Sequence, residues 1–305
     1  MLYYCKTPQG NFGDDLNSWL WPRIAPEVCS ENDPALFVGI GTILSHRIPT
    51  EPSKIIFGAG WGGGRVPRAD TRWRFYCVRG PRTASGLHLD PALALVDPAV
   101  LVRQVPLTAA GKCYPVSLMP HHQSMLKADW PTLCQRAGIH CIDPRGPVER
   151  VLTELQQTEL LLAESMHGAI VADALRVPWI AVRMYGRFTQ FKWQDWTESI
   201  SVALRIADVP PVFERKPTFL KRVDYAAKRV FARLGLGDDN WSRLETRAST
   251  EAEVSQTLRT LERVPQQQPP CLSEERILLE LNTRLMEKLS EVRGAYRSAR
   301  IRPGG

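Results

Sequence analysis

The run Leu160-Leu161-Leu162-Ala163-Glu164-Ser165-Met166-His167-Gly168-Ala169-Ile170 places a histidine just beyond a buried apolar segment, in the first turn of a small-residue helix. A helix N-terminus favours anions. A histidine there can donate to a phosphate or exchange a proton near neutral pH. Ser165 and Gly168 flank it and are assigned with it to substrate binding. A lone histidine is more often structural; the strand-to-helix position is what makes His167 a catalytic candidate.

Two arginines occupy a similar position in Val78-Arg79-Gly80-Pro81-Arg82-Thr83-Ala84, where Pro81 suits a first helical turn. Arg79 and Arg82 are placed to hold a phosphate or carboxylate through charge-assisted bonds, although a plain surface pair has the same spacing. In Gly10-Asn11-Phe12-Gly13-Asp14-Asp15-Leu16-Asn17 the glycines permit a tight turn and Asp14 or Asp15 can cap a helix. Asn11 and Gly13 would then sit where an acceptor docks, with Asp14 or Asp15 as the base for its hydroxyl. The run Gly58-Ala59-Gly60-Trp61-Gly62-Gly63-Gly64 contains G-x-G-x-x-G, but Arg65, Val66 and Pro67 follow it. No helix starts promptly, so a dinucleotide fingerprint is rejected. Gly60 remains a point where backbone can approach a ligand.

Arg183, Tyr185, Arg187 and Lys192 alternate with Phe188, Phe191 and Trp193. Such interleaving can bind nucleic acid, cover a packed aromatic cluster with surface charge, or form an anion pocket at a strand end. The last suits a strand over 178–182, in line with His167. His121 and His122 follow another strand end at Pro120 and can touch substrate. No ligand set for a metal can be assembled around them.

These residues need a scaffold of strands ending at loops. Short apolar runs over 2–5, 36–39, 54–57 and 73–78 read as strands, with another expected within 93–102. After a break at 104–113 a second series follows: strands over 114–119, 139–142, 160–163 and 178–182, and helices within 123–137, 146–157 and 166–175. The expectation is α/β: two open, Rossmann-like sheets facing a cleft, one in residues 1–108 and one in 109–207. Residues 208–305 read as a helical extension. A basic amphipathic helix over 218–234 is followed by a polar stretch to 272, with a flexible linker at 266–270. A long helix over 273–300 carries Leu278, Leu281, Leu285, Leu289, Val292 and Tyr296.

Composition narrows the class. A length of 305 residues suits about two domains. No uncharged run reaches the roughly 18 residues of a membrane span. Lys6, Asp14 and Asp15 come too early for a secretory leader. Seven cysteines without a C-x-x-C pair fit reduced thiols, so a cytoplasmic location is expected. The net charge of +7 points to an anionic substrate or surface.

Taken together, Asn11–Asn17, Gly58–Gly60, Arg79–Ala84, Val96-Asp97-Pro98, Pro120-His121, Ser165–Ile170, Ala172-Asp173-Ala174-Leu175 and Lys192 resemble the polysaccharide pyruvyl transferase family. The nearest likeness is to ketal pyruvyl transferases of bacterial exopolysaccharide assembly, such as those of succinoglycan and xanthan. The motifs span roughly 1–200 in the family's order. The resemblance implies a glycosyltransferase-B-like fold, phosphoenolpyruvate as donor substrate, and neither cofactor nor metal. It matches Arg79 to a donor-binding arginine, His167 to the active-site histidine and Lys192 to a basic residue. Gly80 stands where many relatives carry aspartate, and Ser165 where many carry arginine. Arg82, Arg183 and Arg187 are therefore also candidates for the donor carboxylate. The implied reaction adds a pyruvate ketal to a lipid-linked oligosaccharide, on the inner face of the plasma membrane, without nucleic acid. A nucleotide-sugar glycosyltransferase and a non-catalytic assembly factor are the alternatives. Acceptor sugar and oligomeric state are left open.

Overall fold

Two sets of short parallel strands carry the molecule. In chain order the first half contains β1 (Leu2–Tyr3), α1 (Phe12–Ile24), β2 (Ala35–Val38), β3 (Ser53–Phe57), β4 (Trp73–Cys77) and α2 (Pro81–Gly86). Its sheet runs β1-β2-β3-β4, every pair parallel. The second half contains β5 (Tyr114–Met119), α3 (Trp130–Arg136), β6 (His140–Cys141), α4 (Val148–Gln156), β7 (Thr158–Ala163), α5 (Met166–Ala174), β8 (Trp179–Arg183), α6 (Gln190–Ser199) and β9 (Ile206–Asp208). Its parallel sheet has the order β6-β5-β7-β8-β9. Three helices follow: α7 (Phe219–Arg233), α8 (Glu251–Gln267) and α9 (Glu275–Ile301). This computed structural model describes all residues except 31–32, 187, 215–218, 235–240, 242–243, 245–246 and 302–305, and all side chains of the described residues except those of 219–222, 233 and 298–301.

The central strands β7 and β8 are covered on both faces, so Leu161–Ala163 and Trp179–Val182 are buried without alternation. That is the pattern of a parallel strand flanked by helices. The apolar face of α9 is buried at every position its spacing requires, from Leu278 to Tyr296.

Two expectations are corrected. No strand forms within 93–102. Asp90-Pro91-Ala92 and Asp97-Pro98-Ala99 each start a 3-10 turn, Pro91–Leu93 and Pro98–Gln104, in which the aspartate accepts from the alanine N–H. A cap followed by proline overrides an apolar run too short to show its period. The flexible linker expected at 266–270 does not begin at 266, because α8 runs through Gln267. Thr250 and Glu253 form a reciprocal capping box, and Gln266 and Gln267 belong to the helix. Val254, Leu258, Leu261 and Val264 fall at helical spacing and pack with Trp130 and Leu133 of α3. The aromatic residues interleaved with the basic ones near β8 form a packed cluster: Trp193 and Trp196 pack on Trp179 and Phe188 stacks on Trp193, with ring centroids 5.0 to 6.1 Å apart.

The C-terminal segment joins the halves. Ser273 is held by Asp173 of α5, its backbone N–H donating at 2.9 Å. Glu275 pairs with Arg176 and Arg103. From there α9 crosses to the first half, where Arg293 meets Glu27 at 2.9 Å.

Candidate active site between the sheets

Loops that follow strands of both sheets meet face to face. Helices α1 and α5 point their N-termini at the same place. A Cβ on Gly13 would lie 2.0 Å from Nδ1 of His167, so only glycine lets the first turn of α1 lie on the imidazole. Ser165 is the N-cap of α5 and accepts from the Gly168 N–H at 3.4 Å. Gly168 is itself pressed against Met119, whose sulfur a Cβ would meet at 2.5 Å. These two residues therefore fix the turn that carries His167. On the other side of the ring, Nε2 is 3.5 Å from Oδ2 of Asp97. Asp97 is completely buried, and its Oδ1 accepts from the Ala99 N–H at 3.0 Å. Neither His167 Nε2 nor Asp97 Oδ2 has a hydrogen-bond partner among the described residues, so the two face each other as a charge contact.

Asp14 stands beside this pair. Burial pushes its carboxyl above the ordinary range, while the charges of His167 and Lys192 and a hydrogen bond from Asn11 Nδ2 pull it back. Asp15 is occupied differently: its carboxylate accepts from the Asn11 N–H at 2.9 Å and closes the start of α1. Asn17 ties α1 to the loop after β2, donating to Ile40 O and accepting from Ile40 N–H. That brings Gly41, with φ +127°, alongside Asp14.

The arginines are not where their spacing suggested. Arg79 is completely buried. Its Nε donates to Asp195 at 2.9 Å, one terminal nitrogen to Thr42 Oγ1 at 2.6 Å and the other to the Trp61 carbonyl at 3.0 Å. Gly60 makes room for the guanidinium, which a Cβ would meet at 2.1 Å. Each guanidinium nitrogen donates within the protein, and the Arg79–Asp195 pair staples the first half to α6. Asp195 also accepts from the Thr83 N–H and hydroxyl. A Cβ on Gly80 would fall 2.0 Å from the Asp195 carbonyl oxygen, so an aspartate cannot stand there. Arg82 is bound to Glu198 and Arg183 to Asp208, both away from the cavity lining. Arg187 lies outside the described residues.

Lys192, in the first turn of α6, faces the site, as does Lys127. Half-buried, Lys192 is pushed down to about 8, first by desolvation and then by the Arg79 charge, with Asp14 and Glu164 acting against both. Lys192 lines a cavity of about 360 Å3, together with His121, Ser124, Tyr185 and Tyr225. Glu164 forms part of its wall. That buried carboxylate accepts from the backbone N–H of His121 at 2.8 Å and of Tyr185 at 3.2 Å, and burial raises it above the ordinary range. It thus sets the loops after β5 and β8. Of the sequence candidates, His121, His122 and Lys192 line the cavity; His167, Asp14, Asn11 and Gly13 form an adjoining cluster, near enough for Lys192 to act on Asp14. Asp97 and Glu164 were not among the candidates. Their signal was position, at a strand-to-turn junction and next to the His167 cap, but a buried carboxylate's partner is not written in its neighbours. Among the described residues no group of three His, Cys, Asp or Glu side chains could hold a metal ion.

Comparison with known proteins identifies the family. The family model for polysaccharide pyruvyl transferase matches residues 11–184, more than half of the chain and all of the cluster around His167. The succinoglycan biosynthesis protein ExoV of Rhizobium meliloti (strain 1021) is 42% identical over 212 residues, covering 68% of this chain and 67% of that protein. No solved structure matches. With its family motifs gathered at one junction between two parallel sheets, the chain belongs to the polysaccharide pyruvyl transferases and is an enzyme of that family.

Proposed function

We propose that the protein transfers pyruvate from phosphoenolpyruvate to a sugar of a lipid-linked exopolysaccharide repeat unit, forming a pyruvate ketal at the cytoplasmic face of the membrane. The two halves act as in a glycosyltransferase-B arrangement, residues 1–108 toward the acceptor and 109–207 toward the donor. The observation that carries this reading is Lys192: a lysine held at about 8 beside a small-molecule-sized cavity gains most from a bound dianion.

The donor phosphate and carboxylate would lie against Lys192 and His121. Protonation of the donor's methylene carbon makes its methyl group and leaves positive charge on the adjacent carbon. A sugar hydroxyl adds there, and its proton balances the one given to the methylene. The carbon–oxygen bond to phosphate then breaks, a second hydroxyl closes the ring, and its proton leaves with inorganic phosphate. His167, held by Asp97, is placed for proton exchange, and Asp14 for accepting from a sugar hydroxyl. Fixed positive charge at Lys192 favours phosphate departure.

Incubation with phosphoenolpyruvate and lipid-linked glycans should release phosphate and add the mass of one pyruvate ketal to the glycan. Thermal stabilisation by a nucleotide sugar and not by phosphoenolpyruvate would refute the donor.

A further inference from the structure

We infer that α7 is an interfacial helix that seats the mouth of the cavity on an anionic bilayer. At 100° per residue, Val223, Ala227, Val230, Phe231 and Leu234 fall within an arc of about 100°. A helix that packs on a protein body turns such an arc inward. Here the arc faces out: Val223 is 56 %, Val230 53 %, Phe231 50 % and Leu234 66 % exposed, and Ala227 is exposed as well. The opposite side of the helix, with Tyr225 and Ala232, is the half-buried one, and Tyr225 lines the cavity. Leu126, which also lines the cavity, is 57 % exposed and adds a further apolar side chain at its margin.

Charge identifies the occupant. The helix sequence carries Lys221, Arg222, Lys228, Arg229 and Arg233 against Asp224 alone. On the helical projection Lys228 and Arg229 flank the apolar arc on opposite sides, the arrangement of a helix lying in a headgroup layer. Two copies of the chain meeting on this face would bring like charges together, whereas an anionic leaflet attracts them. Among the described residues no helix is long and apolar enough to cross a membrane, so this contact is superficial. The surface contact is independent of the chemistry proposed above; its use, to present a lipid-linked acceptor at the cavity margin, rests on that reading.

Co-sedimentation of the full chain with vesicles tests it, comparing phosphatidylcholine alone with phosphatidylcholine containing one quarter phosphatidylglycerol. Wild type should bind the anionic vesicles at low salt and be released at high salt. Changing Lys221, Arg222, Lys228 and Arg229 together to Gln should weaken partition by about 100-fold or more, since each basic residue near the surface contributes roughly fivefold. V223S/V230S/F231S should weaken it by at least about tenfold, with an unchanged melting temperature because these side chains are exposed. Both variants should keep transfer to a water-soluble oligosaccharide acceptor and lose it to an acceptor embedded in anionic vesicles. Failure of wild type to sediment at low salt, equal binding by the variants, or a solution dimer that V223S/V230S/F231S dissolves would each overturn the inference. Vesicle binding without any pyruvyl transfer, even to the soluble acceptor, would instead refute the proposed chemistry and leave the membrane contact standing.

Discussion

Nε2 of His167 lies 3.5 Å from Oδ2 of Asp97, a carboxylate from the other half of the molecule with no contact to solvent. A buried carboxylate against one ring nitrogen fixes the orientation of the imidazole. His167→Ala should lower turnover by about 10²–10⁴-fold with the fold intact, the usual loss for a positioned acid or base. Asp97→Asn should lower it less, by about 10–100-fold, and the double variant should be no slower than His167→Ala alone. Additive losses in kcat would separate the two residues.

Gly13 gives a steric test of the same contact. Gly13→Ala forces a methyl group to within 2.0 Å of the imidazole unless α1 or the ring moves. Overpacking of this kind costs about 1–3 kcal/mol. Turnover should fall further than stability alone explains. Gly111→Ala, where a Cβ meets nothing within 4 Å, is the matched control. Equal activity of the two variants would remove His167 from the reaction.

The Arg79–Asp195 pair predicts a stability effect in place of a binding effect. Breaking a buried ion pair by removing one partner typically costs about 3–5 kcal/mol. Arg79→Ala should therefore shift the denaturant midpoint sharply, while the fraction that stays folded keeps its affinity for phosphoenolpyruvate. A tenfold loss of donor affinity at unchanged stability would return Arg79 to the donor site.

Lys192 makes donor binding pH-dependent. An anion binds the protonated form, so binding takes up a proton and the dissociation constant should rise as pH passes about 8, by up to about tenfold per pH unit. Lys192→Met should bind weakly and lose this dependence. The linkage to folding has the opposite sign. The folded state releases this proton near 8, before the unfolded chain does at about 10.4, so Lys192 adds stability as pH rises through that interval. At neutral pH Lys192→Met should therefore be more stable than wild type. Isothermal titration in two buffers of different ionisation enthalpy, with melting curves from pH 7 to about 10, reads both effects.

The strands, most helices and the cap that presents His167 were legible because they depend on neighbours. Continuous apolar runs mark buried parallel strands, and Leu278 through Tyr296 recur at helical spacing along α9. The Ser165 cap and the glycines beside His167 belong to a few consecutive residues, so the sequence alone placed the histidine at a helix start. Whether a charged group is free or consumed depends on partners far along the chain. Arg79 and Asp195 are 116 residues apart, and nothing near Arg79 announces that its guanidinium will be desolvated and saturated. The same holds for Asp97 against His167, and for Lys192, lowered by burial beside Arg79. In α7 the sequence determined an amphipathic helix and its charge, because periodicity is local. Only the tertiary structure decided which side faces the body, because that depends on the surface the helix meets, and here it half-buries Tyr225 and leaves Val230 and Phe231 in solvent.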